Sequence, residues 1–170
     1  MKLTAAIVES APSYTDPLHQ THLDLRDLQI PYIENLGPAR DVHACLDLTG
    51  NDLRSLINFP RMHRLRCLML ANNRVSKIDP LLYENLPNLE AIVFTGNAIT
   101  ELREMEGFKG CHKLEWLSMM GCPVTRVKGY REWLIWRFPK LRVLDFQRVR
   151  QKVRLSLNLQ CSLIPRCFFV

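Results

Sequence analysis

Most of the signatures that assign a chain to a catalytic or metal-binding class are missing from these 170 residues. The six cysteines, at 45, 67, 111, 122, 161 and 167, include no C-x-x-C pair and no nearby histidine spaced for zinc, so no metal site is expected. The five histidines (His19, His22, His43, His63 and His112) are scattered in the same way. There is no phosphate-cradling glycine loop, no H-E-x-x-H, no G-x-S-x-G and no carboxylate pair beside a nucleophile, which argues against an enzyme and against a bound cofactor. Long apolar runs are absent as well. Ala5 to Val8 is interrupted by Glu9, too short for the core of a secretory signal, and the uncharged stretch Leu155 to Pro165 is only eleven residues, too short to span a membrane. The expectation is an intracellular protein whose thiols are reduced and pack as small hydrophobes.

The net charge is +6 and is unevenly spread. Residues 1–60 carry −4, residues 61–125 carry +1 and residues 126–170 carry +9. A basic end of this kind suits an anionic partner such as nucleic acid or an acidic protein surface; a solvated basic face with no ligand is the alternative.

The strongest positive signal is a repeat of the form L-x-x-L-x-L-x-x-N-x-L. Leu46 to Leu53, Leu65 to Val75 and Leu89 to Ile99 are full copies, with Asn51, Asn73 and Asn97 in one slot. Degenerate copies flank them at Leu23 to Ile30, Leu114 to Val124 and Leu141 to Phe146. The second leucine-type position falls at 25, 48, 70, 94, 119 and 146, giving spacings of 23, 22, 24, 25 and 27 residues. Amphipathic helices and strands repeat at 3.6 and 2 residues, so this period identifies an α/β leucine-rich repeat solenoid, right-handed, with a curved parallel sheet on its concave side. Each L-x-L is a short strand with its leucines inward, and each Asn satisfies backbone groups where the chain leaves the strand. Leu28 and Cys122 occupy the Asn slot in the first and fifth copies, so those turns must be satisfied differently.

Both ends of such a stack need covers. Thr4, Ile7, Val8 and Ala11 at roughly helical spacing before Pro12 fit a short N-terminal cap. Tyr130 to Phe138, stopped by Pro139, reads as a capping helix that buries Tyr130, Trp133 and Phe138; an aromatic and basic platform for nucleobases is the competing reading. The expected organisation is a cap over residues 1–22, repeats with the C-terminal cap over 23–148, and a basic segment with a tail over 149–170.

Once register is fixed, the residues beside the inward leucines form three columns on the concave face. They run His22, Cys45, Cys67, Ala91, Trp116, Val143; then Asp24, Asp47, Met69, Val93, Ser118, Asp145; then Arg26, Thr49, Ala71, Thr95, Met120, Gln147. In the three central repeats seven of nine positions are apolar or sulfur-bearing, where a face meant only for water would be polar. Asp24, Asp47, Cys67, Met69, Val93, Trp116 and Met120 are therefore the expected protein-binding residues, with Trp116 as anchor and a helix as the natural occupant. A segment of the same chain folded over the patch is the alternative.

Several runs resemble one family, the A-prime proteins of the U2 small nuclear ribonucleoprotein of the spliceosome. They include Tyr14-Thr15, Leu23-Asp24-Leu25-Arg26, Ile30-Pro31-Tyr32-Ile33-Glu34-Asn35-Leu36-Gly37, Pro123-Val124-Thr125, Tyr130-Arg131 and Val143-Leu144-Asp145-Phe146-Gln147-Arg148-Val149, within a match over roughly residues 1–154. The resemblance implies a nuclear, non-catalytic splicing scaffold, one half of a heterodimer. Its concave face would hold a helix of a B-double-prime type RNA-recognition-motif protein, and the pair would bind a hairpin of U2 RNA mainly through that partner. It further implies that Arg148, Arg150, Lys152 and Arg154 lie near the RNA stem. Residues 155–170 depart from the family's charged continuation and carry no assigned role. The alternative is a leucine-rich repeat adaptor of another pathway, ciliary or phosphatase-regulating, with no RNA to bind.

Overall fold

The computed structural model describes residues 2–155. An N-terminal helix α1 (Ala5–Ser10) leads into ten short strands: β1 (Ser13–Thr15), β2 (Thr21–Asp24), β3 (Cys45–Asp47), β4 (Ser55–Leu56), β5 (Cys67–Met69), β6 (Lys77–Ile78), β7 (Ala91–Val93), β8 (Trp116–Ser118), β9 (Val143–Leu144) and β10 (Gln147–Arg148). Two further helices, α2 (Leu82–Asn85) and α3 (Tyr130–Arg137), lie in the connections. One sheet has the order β1-β2-β3-β5-β7-β8-β9-β10. Its six central strands are parallel, one per repeat, and a strand at each edge is antiparallel.

The spacing of the repeats decides what fills the return path. The 22-residue step between Leu48 and Leu70 holds no helix, and there β4 pairs with β6 of the next repeat. The longer steps admit α2 and 3₁₀ turns at Leu102–Phe108 and Pro123–Arg126. Inside, side chains stack in columns. Leu23, Leu46, Leu68, Ile92, Leu117 and Leu144 form one, and Leu25, Leu48, Leu70, Phe94 and Met119 the next, all buried. Each such side chain contributes on the order of 1.5–3 kcal/mol only because its neighbours above and below keep water out, so no repeat is stable alone. In the 25-residue step that follows Phe94, the interior is filled by Phe94 and Phe108, edge to face with centroids 5.9 Å apart.

The three asparagines form the expected ladder. Asn73 donates to the carbonyls of Leu48 and Leu70 at 2.9 and 3.1 Å and accepts from the Leu53 amide. Asn97 repeats this with Leu70, Phe94 and Val75, and Asn51 with Leu25, Leu48 and the amides of Leu28 and Ile30. The two atypical copies are thereby explained. Leu28 needs no polar side chain because Asn51 already takes its amide, and the Cys122 thiol donates to the Phe94 carbonyl at 3.2 Å. A second ladder runs through the left-handed residues Asp27, Gly50, Asn72, Gly96 and Gly121. Asp27 leaves no room above it, since a Cβ on Gly50 would lie 1.9 Å from its carboxylate oxygen, so an αL residue with a side chain is followed by glycine.

At the N-terminal end Thr4 caps α1, and Leu3 and Val8 cover the apolar opening. At the C-terminal end α3 buries Tyr130, Trp133 and Leu134, with Phe138 just beyond it, which accounts for the aromatic run; Trp136 is on its exposed side.

The expectation that Phe146 points inward is wrong. It is 63% exposed, and Leu144 is the last buried residue of its column. Asp145 and Phe146 both have positive φ, 51° and 60°, and form the two-residue turn of a hairpin that reverses the chain into β10. The reversal is held by Asp145, which accepts from the Met119 amide and the Tyr130 hydroxyl at 2.8 Å each, while Arg131 donates to the Leu144 and Gln147 carbonyls. Residues 151–155 are helical. The remainder of the tail lies outside the described residues.

Candidate protein-binding surface

Strand register places the first two columns as the repeat predicts. His22, Cys45, Cys67, Ala91, Trp116 and Val143 are successive Cα partners, and so are Asp24, Asp47, Met69, Val93 and Ser118. Cys67, Met69, Ala71, Ala91 and Val93 are half-buried and make an apolar floor. Trp116 and Met120 stand out from it, 43% and 46% exposed. Two members of the columns do not reach the surface. Cys45 is a small side chain set between His22 and Cys67 in its column, and Ser118 turns its hydroxyl to Thr95 at 3.0 Å. Asp145 is likewise unavailable to a ligand, being bound within the hairpin.

The displaced Phe146 adds what the sequence reading lacked. Its ring meets Trp116 edge to face, 6.2 Å between centroids, so the C-terminal side of the hollow is an aromatic wall. At the opposite side Tyr14 of β1, 54% exposed, stacks on His22 at 4.7 Å, and His22 contacts Asp16 at 3.2 Å. Hydrogen bonds from the Gln20 and Leu18 amides and from His22 hold the Asp16 carboxyl below its ordinary range. The signal that could have found Tyr14 is its alternation with the N-terminal cap, but three exposed residues carry no hydrophobic pattern.

The acidic pair is less acidic than its sequence suggests. Arg26 binds both oxygens of Asp24, at 2.9 and 2.5 Å, and approaches Asp47 to 3.7 Å. The guanidinium holds the Asp24 carboxyl below its usual range. Asp24, Asp47 and Arg26 together carry a single net negative charge, beside a cleft of about 490 Å³ between α1 and the first repeat, lined by Ile7, Pro12, Asp24, Arg26 and Asp27 among others.

The four basic residues of the last segment do not behave alike. Arg148 and Arg150 are exposed on either side of the buried Val149, and Lys152 is exposed. Arg154 instead donates to the carbonyls of Pro139 and Leu141, fastening the C-terminal helix to the last repeat. Elsewhere the arginines beside the strands face carboxylates, as in Arg66 with Glu90 and Arg142 with Glu115. Among the described residues no group of three or more His, Cys, Asp or Glu side chains could hold a metal ion, and no helix is long and apolar enough to cross a membrane.

A stack of parallel one-strand repeats, capped at both ends and open along an apolar hollow, is a leucine-rich repeat arc. The family model for leucine-rich repeats matches residues 1–159. Among curated relatives, the U2 small nuclear ribonucleoprotein A' of Mycosarcoma maydis is 46% identical over 154 residues, 91% of this chain and 63% of the relative. The protein of the same name from Schizosaccharomyces pombe is 46% identical over 155 residues, 91% of this chain and 65% of the relative. That of Homo sapiens is 40% identical over 154 residues, 91% of this chain and 60% of the relative. A crystal structure of the Drosophila melanogaster SNF/U2A' complex contains a chain that superposes with a TM-score of 0.90 at 41% identity, covering 95% of this chain and 92% of that one. The chain belongs to the leucine-rich repeat family and, within it, to the U2 small nuclear ribonucleoprotein A' proteins. It spans about two thirds or less of the length of the curated relatives it matches.

Proposed function

We propose that this chain is a nuclear, non-catalytic scaffold of the U2 small nuclear ribonucleoprotein in pre-mRNA splicing. It pairs with an RNA-recognition-motif protein of the B-double-prime type and supports binding of a U2 RNA hairpin through that partner. The observation that carries this reading is the open hollow, with its apolar floor and the exposed Trp116 and Phe146 at one side, on a chain that superposes on a member of a solved SNF/U2A' complex. A helix, whose apolar face can lie across the strands, is the natural occupant of such a hollow, and removal of the exposed apolar area from water drives the association.

In this reading Asp24, Asp47, Cys67, Met69, Val93, Trp116 and Met120 touch the partner, and Tyr14 and Phe146 extend the contact to both rims. The partner reads the bases. Arg148, Arg150 and Lys152 contribute phosphate contacts that position the complex without reading sequence. Arg154, bound to carbonyls of the last repeat, shapes that basic end from behind. Residues 1–22 and 23–148 act as one binding unit, cap and repeats together, with the basic segment following from 149.

The test is co-purification with the RNA-recognition-motif partner followed by identification of the retained RNA. Enrichment of one small nuclear hairpin supports the scaffold, and equal retention of unrelated hairpins sinks it.

A further inference from the structure

Cys45 and Cys67 are Cα partners on the adjacent parallel strands β3 and β5, in one column and on one face of the sheet. Neighbouring strands lie about 4.7–4.9 Å apart, inside the roughly 4.4–6.8 Å range of Cα separations that a disulfide bridges. Both are free thiols, and their surroundings differ: Cys67 is half-buried on the open floor, whereas Cys45, beside it in the column, is 2% exposed.

We propose that this pair is a peroxide-reactive dithiol, in which Cys67 is the attacking thiol and Cys45 the resolving one. Hydrogen bonding from Cys45 favours the Cys67 thiolate and lowers its pKa, while the same contact and burial push the Cys45 thiol up. Partial burial and the Asp47 carboxylate in the neighbouring column work against the thiolate, without reversing the direction of the shift. The other two described cysteines, Cys111 and Cys122, are buried and donate to backbone carbonyls, and burial pushes Cys111 up to about 12.

The steps balance with hydrogen peroxide as oxidant. The Cys67 thiolate attacks one peroxide oxygen, the O–O bond breaks, and the departing hydroxide takes a proton to become water, leaving a sulfenic acid. The Cys45 sulfur then attacks the Cys67 sulfur as its proton leaves. The S–S bond forms, the S–O bond breaks, and a second water departs. Two thiols are oxidised by two electrons and one peroxide is reduced. The reaction belongs to the chain with its hollow open, since a protein lying on the floor would shield Cys67.

Peroxide treatment of the reduced, partner-free full chain tests this, with dimedone present or absent and with site-resolved mass spectrometry after trypsin. The two cysteines fall on different tryptic peptides, residues 41–54 and 67–74. The expected result is a cross-link between these peptides, with Cys67 oxidised at least ~10-fold faster than Cys111. In Cys45→Ser, dimedone should accumulate on Cys67; in Cys67→Ser, Cys45 should stay reduced. Dimedone-labelled Cys67 in the unaltered chain without a cross-link, or a Cys67 no faster than Cys111, overturns the proposal, and either result is read on the unaltered chain even if a variant folds poorly.

Discussion

The two edges of the parallel sheet are closed by the same device and present opposite surfaces. At one edge β1 pairs antiparallel with β2, and at the other β10 pairs antiparallel with β9, so the repeat strands are paired on both sides and each free edge is a strand of only three or two residues, too short to template another chain well. The N-terminal edge is held by a three-residue backbone ladder, and its side chains are free to form a polar rim of Tyr14, His22, Asp16, Asp24 and Arg26. The C-terminal edge has a ladder of only two pairs and depends on side chains from α3 and on Asp145. What it presents is aromatic toward the hollow and basic beyond it. The same backbone device is therefore secured differently at the two edges, by its own ladder at one and by side chains at the other, and each rim carries its own chemistry.

The largest difference between the edges should appear in stability. Asp145→Ala leaves the Met119 amide and the Tyr130 hydroxyl without their acceptor, and each orphaned buried group costs about 1–3 kcal/mol. A loss of about 2–4 kcal/mol in urea unfolding is expected. Ser13→Ala at the other edge removes one 3.3 Å contact to His43, which keeps its bond to the Ala39 carbonyl, and should cost less than about 1 kcal/mol. Equal costs would show that both edges rest on side chains.

Affinity should divide in the same direction. Trp116→Ala removes the anchor of the aromatic wall, together with the surface on which Phe146 rests, and should weaken binding of the RNA-recognition-motif partner by roughly 2 kcal/mol or more while the circular dichroism spectrum is unchanged. Tyr14→Ala, at the solvated rim, should cost under about 1 kcal/mol in the same calorimetric titration. If Tyr14 proves the larger contributor, the partner sits toward the N-terminal edge and the floor at Met69 and Val93 is not its main seat.

A smaller effect, visible only with RNA present, is expected of the basic end. Arg148→Glu with Arg150→Glu should leave protein pairing intact and reduce the slope of log affinity against log salt for the hairpin by about 0.9 per lost phosphate contact on duplex. Arg154→Glu should differ in kind and lower thermal stability, because Arg154 binds carbonyls of the last repeat. A matching loss of RNA binding without loss of stability in Arg154→Glu would refute that division of roles.

The repeat made much of this legible beforehand, since a period of 22 to 25 residues with asparagine at a fixed offset permits one register, and the register fixes which columns are buried. The capping helix could be read from its apolar spacing before Pro139. What escaped was decided by neighbours distant in sequence. Phe146 fills a leucine slot in the pattern, yet Asp145 and Tyr130, fifteen residues apart, pull the chain into a hairpin. Ser118 fits a surface column, yet Thr95 draws it down. Arg26 reads as an ordinary exposed charge until the next repeat brings Asp47 beside it, and Arg154, expected near RNA, is instead taken up by carbonyls of the last repeat.

Arg26 offers the finest test of the acidic rim, because it both stabilises that rim and hides its charge. The Asp24 carboxyl has a folded pKa below its unfolded value, so its pairing with Arg26 contributes stability above the ordinary carboxylate range and loses it as pH falls through the lowered value. Arg26→Ala should therefore be slightly less stable than the unaltered chain at neutral pH, with the gap closing in acid and also in high salt, as for any exposed pair. The same substitution uncovers Asp24 and Asp47 together and doubles the net negative charge of the cluster. Association with a partner whose approaching surface is basic should then speed up at low salt even though the protein has been weakened, because steering acts on the encounter rate and not on the fold. Stopped-flow association rates of Arg26→Ala against the unaltered chain, at two salt concentrations, decide this. An unchanged rate would mean that the encounter is guided from the C-terminal edge alone.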